Sequence, residues 1–168
     1  MRLIPLDSQL KARRQATAQR ADELKAQGIC PTCQDMQYGD VYPVAEDRVF
    51  YEDDIVRCML EAWPRNPGHT IILVKPHFED LSDMAPATGA EILPVIQAVT
   101  SSLKEVLGAE KVYLCTMCDG RRNHLHLQLI PRMPGDTIAG SKLFELYGRL
   151  RRCRTTVTKC VRKALGGN

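Results

Sequence analysis

The four histidines of the chain lie in two short stretches, a distribution that indicates a chemical site. One stretch reads Asn123-His124-Leu125-His126-Leu127-Gln128-Leu129-Ile130, and the other runs from Pro67-Gly68-His69 to Lys75-Pro76-His77. Polar and apolar residues alternate strictly in the first stretch. This alternation predicts a half-buried strand with His124, His126 and Gln128 on one face, about 7 Å apart per step. Such a row could contact one polyanionic substrate, or divide its work between a metal ion and a nucleophile.

The seven cysteines cannot all pair with one another. Four of them form two Cys-x-x-Cys pairs, Cys30 with Cys33 and Cys115 with Cys118. In an intracellular chain such pairs indicate metal ligands or redox motifs before a disulfide framework.

Short apolar runs predict the strands that must position these groups. Residues 48–51 and 55–60 predict two paired strands around the turn at Glu52-Asp53-Asp54, and the β-branched residues 70–74 predict a buried strand. Residues 111–117 predict a further strand, which a turn at Asp119-Gly120 joins to the histidine strand. Together these segments predict a mainly antiparallel sheet of about five strands.

Three helices are predicted around this sheet. Residues 8–27 predict a helix that ends at Gly28, with Cys30-Pro31-Thr32-Cys33 following on a turn. A long central helix has apolar residues at helical spacing up to Gly108, and Pro94 should lie in its first turn or at a kink. A basic C-terminal helix is predicted over residues 141–168. We therefore expect one α+β domain with its core over about residues 30–132, an N-terminal helical extension over 1–29 and this C-terminal helix.

Composition excludes a membrane protein. No apolar run approaches the ~20 residues that a membrane span needs, the N-terminal residues do not resemble a signal peptide, and we expect a cytoplasmic protein. The net charge is +3, while residues 141–168 carry eight Lys or Arg and one Glu. This basic segment could contact nucleic acid, or it could be a solvated helix face.

Several of these motifs together resemble the histidine triad (HIT) nucleotidyl hydrolases and transferases. The resemblance rests on Pro67-Gly68-His69, on the strand that follows it to Lys75-Pro76-His77, on His-x-His-x-Gln with Ile-Pro-Arg after it, and on Tyr51-Glu52-Asp53-Asp54. It covers roughly residues 30–132, and it implies a HIT-like fold, a nucleoside phosphate substrate and a homodimer. Gln128 stands where the commonest pattern has a third histidine. Glutamine there resembles the branch of galactose-1-phosphate uridylyltransferase and dinucleoside-polyphosphate phosphorylase.

The resemblance implies that His126 is the nucleophile. A neutral imidazole has a lone pair that can attack an α-phosphate, provided that an acceptor, expected to be a main-chain carbonyl, holds its other nitrogen. Gln128 cannot carry a proton to a leaving group, but it can hold phosphoryl oxygens. This favours transfer or phosphorolysis over hydrolysis. His69 is expected to be a neighbour of His126 in the active site and not a metal ligand.

Five further residues are candidates for substrate binding. The resemblance places an acidic residue at Glu61 to bind ribose hydroxyls, and Trp63 could stack on a base or be a core residue. Arg121, Arg122 and Asn123 form a polar turn before the histidine strand. The two arginines could select a multiply charged second substrate, or they could face solvent.

A structural zinc site is predicted from Cys30, Cys33, His77 and His124. Two thiolates and two imidazoles make a closed tetrahedral set, and part of the family has this arrangement. The rival set is Cys30, Cys33, Cys115 and Cys118, and a third possibility is no metal. No organic cofactor is expected.

Two alternatives to a transferase or phosphorylase stay open. One is a hydrolase of the same fold that cleaves dinucleoside polyphosphates or adenylated conjugates with water. The other is a nucleotide- or nucleic-acid-binding module that uses the basic C-terminal helix, whose binding would weaken steeply with salt.

Overall fold

The computed structural model describes residues 8–42, 48–117 and 122–136. Some sequence predictions fall outside these residues. They concern Arg121, Cys118, the turn at Asp119-Gly120 and the basic helix over 141–168.

A five-stranded antiparallel sheet forms the centre of the molecule. Its strands are β1 (Val49–Glu52), β2 (Val56–Leu60), β3 (Thr70–Val74), β4 (Lys111–Cys115) and β5 (His126–Arg132). They lie in the order β1-β2-β3-β5-β4, and every neighbouring pair is antiparallel. The described helices are α1 (Ser8–Ala26), α2 (Pro31–Tyr38) and α3 (Pro86–Leu107), and a short 3-10 helix lies at Leu81–Asp83. The predicted α+β class, with its antiparallel sheet and one long helix, is confirmed.

Helix α3 covers one face of the sheet. Its apolar stripe, which includes Ile92, Val99 and Leu103, packs against alternate residues of β2, β3 and β5 such as Ile72 and Leu129. Each such side chain contributes roughly 1.5–3 kcal/mol when fully buried. Helix α3 does not cover the opposite face of the sheet, which is therefore available to functional side chains.

Pro94 lies well inside α3, so the first of its two predicted positions, the first turn, is wrong, and a kink at Pro94 stays a prediction. The helix begins at Pro86, since the first helical turn is a position that suits proline. The missing N–H of Pro94 therefore falls in the middle of the helix.

Helix α1 forms a second small apolar cluster with the segment that follows α2. Ala21, Leu24 and Val41 are buried there. Helix α1 ends as predicted, with Gly28 at a positive φ of 78° and the N–H of Ile29 bonded to the carbonyl of Leu24.

The prediction that the first Cys-x-x-Cys pair lies on a turn is wrong. Cys30 is the N-cap of α2, Pro31 stands in its first turn, and Cys33 lies within the helix. Proline is favoured at that position, so the motif starts a helix. Both sulfur atoms are therefore held at a helix N-terminus.

No helix in the described ranges is both long enough and apolar enough to cross a membrane.

Candidate active site and metal centre

His126 begins β5 on the sheet face opposite α3. In the sheet register it stands beside Leu73, which stands beside Arg57. The Nδ1 of His126 lies 2.9 Å from the main-chain oxygen of His124. A carbonyl oxygen only accepts hydrogen bonds, so Nδ1 carries the proton and Nε2 keeps the lone pair. This is the tautomer that a nucleophile needs, and the acceptor is the main-chain carbonyl that the sequence predicted.

Gln128 lies beside His126 on the same face of the sheet, but it is buried and not exposed to solvent. Its side chain is 7% exposed, because β5 is an inner strand and the segment before β3 covers it. The Nε2 of Gln128 is 3.4 Å from the Nε2 of His126. The amide therefore stands where it can reach a group attached to that nitrogen. The prediction of a half-buried strand is wrong in this respect, since His124 is buried as well.

The other end of the Gln128 amide receives two donors. Its Oε1 lies 2.8 Å from Nη1 of Arg65 and 3.0 Å from Nε2 of His69. The Nδ1 of His69 accepts a hydrogen bond from the main-chain N–H of Arg65 at 3.2 Å. His69 is thus neutral with its proton on Nε2, and it contacts Gln128 rather than His126 directly.

Burial is the main reason that the pKa of His69 is lowered to about 4, and the nearby charge of Arg65 lowers it further. Glu61 and the hydrogen bond to Gln128 act in the opposite direction but are outweighed. His69 therefore stays uncharged at neutral pH and is a hydrogen-bond donor, not a source of protons.

The segment that carries Arg65 and His69 is held tightly against the rest of the fold. Asn66 is buried and donates to the main-chain oxygen of Pro131 and to Asp136, both at 2.8 Å. Gly68 has a φ of 79°, and a Cβ added there would lie 2.4 Å from a methyl carbon of Leu107. Only glycine fits this close approach to α3.

A cavity of about 330 Å³ extends from His126 towards the N-terminal helices. Its floor is the sheet face, with Met59, Ile71 and Leu73. Its opposite wall is α1. The residues that α1 contributes are Arg14, Thr17, Ala18 and Ala21. Arg48 and Arg57 add two more cationic side chains, while Asp35 and Glu61 add two carboxylates and Arg57 is paired with Glu52. The cavity therefore combines an apolar floor with charged groups of both signs, three of them cationic. This combination suits a nucleotide.

The predicted substrate-binding residues divide between this cavity and its surroundings. Glu61 and Trp63 line it, and an oxygen of Glu61 accepts the main-chain N–H of Trp63 at 2.9 Å. Asn123 donates to the main-chain oxygen of Glu79 and so ties the histidine strand to the segment after His77. Arg122 has a positive φ of 60°, and its guanidinium group lies against Gly28. Their predicted contacts with substrate stay predictions.

The predicted metal ligands come together. One donor atom from each of Cys30, Cys33, His77 and His124 lies within 4.8 Å of the others. We call this group the Cys/His cluster. Four donor-to-donor distances within it are 3.3–3.5 Å. A tetrahedral zinc ion with ordinary bond lengths would separate its donors by about 3.3–3.8 Å, so the geometry fits zinc.

The chemistry of the Cys/His cluster also fits a cation. His124 presents Nδ1 to the cluster while its Nε2 donates to the main-chain oxygen of Val74 at 2.6 Å, an arrangement typical of metal-ligating histidine. Burial, together with the neighbouring Cys30, raises the pKa of Cys33 to about 11. A bound zinc ion would remove this obstacle to the thiolate.

Cys115 of the rival ligand set is not part of the Cys/His cluster. It lies in β4 opposite Gln128, on the active-site side of the sheet. Among the described residues, the set with two histidines is therefore the one that the fold assembles.

Sequence reasoning missed Arg65 and the contribution of α1 to the cavity. Arg65 lies in an irregular segment with prolines on both sides, where no periodicity indicates the direction of a side chain. Its position between Trp63-Pro64 and Asn66-Pro67-Gly68 was the only available signal.

The fold and site together define an α+β protein with a histidine at one end of a cavity and a Cys/His cluster beside it. Residues 43–135 match the HIT domain, which is more than half of the chain, and the chain belongs to the HIT family.

Three relatives illustrate the likeness. The zinc-bound histidine triad family protein from Mycobacterium smegmatis is 29% identical with a TM-score of 0.59, over 82% of this chain and 93% of that one. An uncharacterized HIT-like protein of Methanocaldococcus jannaschii is 33% identical over 94 residues, which are 53% of this chain and 71% of that protein. Adenylylsulfatase HINT3 of Arabidopsis thaliana is 24% identical over 120 residues, which are 68% of this chain but only 61% of the plant protein.

Proposed function

We propose that this protein transfers a nucleotidyl group from a nucleoside polyphosphate to a phosphorylated acceptor through a covalent intermediate on His126. The observation that carries the proposal is the hydrogen bond from Nδ1 of His126 to the carbonyl of His124, which leaves the lone pair of Nε2 beside Gln128. The cavity supports it, because it begins at His126 and is of the size and polarity that a nucleotide requires.

In the proposed first step, Nε2 of His126 attacks the α-phosphorus of the donor. The N–P bond forms as the P–O bond to the rest of the polyphosphate breaks, and the leaving group departs with the electron pair. In the second step an oxygen of the acceptor attacks the same phosphorus, the N–P bond breaks and His126 returns to its neutral form. The carbonyl of His124 stabilises the positive charge that the ring carries between the two steps.

Gln128 would donate its Nε2 hydrogens to oxygens of the transferred phosphoryl group. Neither Gln128 nor the neutral His69 supplies a proton to a leaving group. The site therefore suits leaving groups that are stable as anions, such as a polyphosphate, and suits an amine leaving group poorly. This reasoning favours the branch of the family that includes uridylyltransferases and dinucleoside-polyphosphate phosphorylases.

The nucleoside would occupy the cavity between the sheet and α1. Glu61 and Trp63 line this cavity, and in this proposal Glu61 would bind ribose hydroxyls and Trp63 would contact the base. Among the cationic side chains that line this cavity, Arg14 on α1 and Arg48 would favour an anionic substrate.

Zinc in the Cys/His cluster would be structural. Four protein donors close the coordination sphere, so the ion would have no position for substrate. Its role would be to hold α2, the segment at His77 and the start of β5 together. The homodimer that the resemblance implies stays a prediction, as does nucleic-acid binding by residues 141–168.

Hydrolysis of an adenylated conjugate is the second candidate function. The name of the Arabidopsis relative, an adenylylsulfatase, favours it, and sulfate is also a leaving group that needs no proton. The two functions share the first step and differ in whether water or a phosphate attacks the intermediate.

Covalent labelling tests the proposal. The zinc-loaded protein is mixed with diadenosine tetraphosphate, quenched in base and digested, and the peptides are weighed by mass spectrometry. We expect one adenylyl group on the peptide that holds His126 and none in His126→Ala. A nucleotide adduct on another residue, or turnover in His126→Ala, would overturn the proposal.

A further inference from the structure

Arg65 is a buried guanidinium group in the active site. Arg65 is only 6% exposed, although it lies in the irregular segment between β2 and β3. Its Nη1 donates to Oε1 of Gln128 at 2.8 Å, and its main-chain N–H donates to His69. A third contact joins Nη2 to the sulfur of Met117 at 3.7 Å. One residue thus contacts both groups that stand behind His126.

The chemistry of these groups allows only one orientation of the Gln128 amide. A guanidinium group has donors and no acceptor, so it can face the oxygen of an amide but not its nitrogen. His69 adds a second donor to the same oxygen, because its own Nδ1 already accepts from Arg65. The two lone pairs of Oε1 are therefore both used, and Nε2 must point towards His126.

We propose that Arg65 is a positioning residue that fixes the Gln128 amide with its N–H donors towards the reacting phosphate. Without the Arg65 side chain only the His69 donor would hold Oε1, so the amide would be held less firmly and would present Oε1, which repels phosphoryl oxygens, for part of the time. The role rests on the proposed function, and it extends that function by making the site behind His126 one that only donates hydrogen bonds. Such a site selects anionic oxygens, which accept hydrogen bonds, and disfavours substrate groups that can only donate them.

The test combines kinetics with a structural measurement. The variants are Arg65→Met, which removes the charge and the donors, Arg65→Lys, which keeps the charge and one donor site, Gln128→Leu, and Arg65→Met with Gln128→Leu. Arg20→Met is the matched control. Arg20 lies on α1, forms an exposed ion pair with Asp40 and does not line the cavity. The rate of adenylyl transfer to His126 is measured in single turnovers over a range of diadenosine tetraphosphate concentrations, which gives both the rate at saturation and KM.

We expect Arg65→Met to slow adenylyl transfer by about 10²-fold, as for loss of one oriented donor, with KM changed by less than about threefold. Arg65→Lys should recover part of the rate, and Arg20→Met should not change it. The double variant should be no slower than Gln128→Leu alone, since Arg65 acts through Gln128. Losses that multiply in the double variant would overturn the proposal, because Arg65 would then act independently.

The structural measurement needs no turnover. In the wild-type protein, nuclear Overhauser effects should join the side-chain amide hydrogens of Gln128 to ring hydrogens of His126, and Arg65→Met should weaken them, because only the His69 donor then holds Oε1. Undiminished effects in Arg65→Met would overturn the role of Arg65 even if the protein proved not to transfer nucleotides. If Arg65→Met does not fold, Arg65→Lys is compared in the same way; its single ammonium donor should weaken these effects, and undiminished effects would overturn the role.

Discussion

The Nδ1 of His126 lies 2.9 Å from the main-chain oxygen of His124, whose ring belongs to the Cys/His cluster. The acceptor that sets the tautomer of the proposed nucleophile is thus part of a proposed metal ligand. The ring of His124 is fixed on its other side by Val74. Disturbing the Cys/His cluster should therefore alter the chemistry of His126 without removing any group that contacts substrate.

Loss of zinc should impair catalysis by this route. The purified protein should hold about one zinc ion per chain, and Cys30→Ser should release it and slow adenylyl transfer by roughly 10-fold to 100-fold. Zinc content and single-turnover rate are measured on the same samples. Cys115→Ser is the control and should keep its zinc, because Cys115 lies outside the Cys/His cluster. Zinc loss in Cys115→Ser with retention in Cys30→Ser would contradict this assignment.

Removing the nucleophile should separate chemistry from binding. His126→Ala should show no transfer above background, while its affinity for a non-hydrolysable nucleotide stays within about threefold of the wild-type value, because the cavity walls are unchanged. Calorimetric titration measures the affinity. Loss of binding with residual transfer would indicate that His126 binds substrate and that another group reacts.

The buried, neutral His69 should make stability depend on pH. Its pKa is lowered to about 4 in the folded protein from about 6.5 in an unfolded chain, so acid favours the unfolded state. The contribution is fully present above about pH 6.5 and is lost as the pH falls towards 4, with a total of about 3 kcal/mol.

Urea unfolding at pH 7 and pH 4.5 measures this effect. The decrease in the free energy of unfolding between the two pH values should be smaller in His69→Asn than in the wild-type protein, with both in the same metal state. An equal decrease in the two proteins would show that His69 is not the titrating group.

Filling the cavity from α1 should weaken substrate binding. Thr17 lines the cavity, whereas its neighbour Ala16 is exposed and does not. Thr17→Trp should raise KM for diadenosine tetraphosphate at least about 10-fold, since a larger side chain would occupy the nucleoside space, and Ala16→Trp should leave it unchanged. Steady-state kinetics of both variants measure the difference. Equal KM values for the two would place the nucleoside elsewhere.

The features that sequence analysis predicted correctly depend on the type and spacing of residues. Alternation correctly places His126 and Gln128 on one face of β5, although His124 lies before the strand. The family resemblance favoured Cys30, Cys33, His77 and His124 as zinc ligands over the rival set of four cysteines, and these four residues come together. The antiparallel sheet and the long helix α3 follow from hydrophobic periodicity.

The features that it missed depend on contacts between distant segments. Arg65 reaches Gln128 across the fold from an irregular segment, which is fixed by the packing of Gly68 against α3 and by the hydrogen bonds of Asn66. Helix α1 has few apolar residues, so its sequence did not indicate which side would face the cavity. The burial of Gln128 likewise follows from what covers it, which alternation alone cannot report.

Product analysis with diadenosine tetraphosphate, with and without inorganic phosphate, tests the central claim most directly. Transfer from His126 to phosphate predicts ATP and ADP as products only when phosphate is present. ATP and AMP formed at the same rate with and without phosphate would show that water is the acceptor, and would contradict the role given to Gln128.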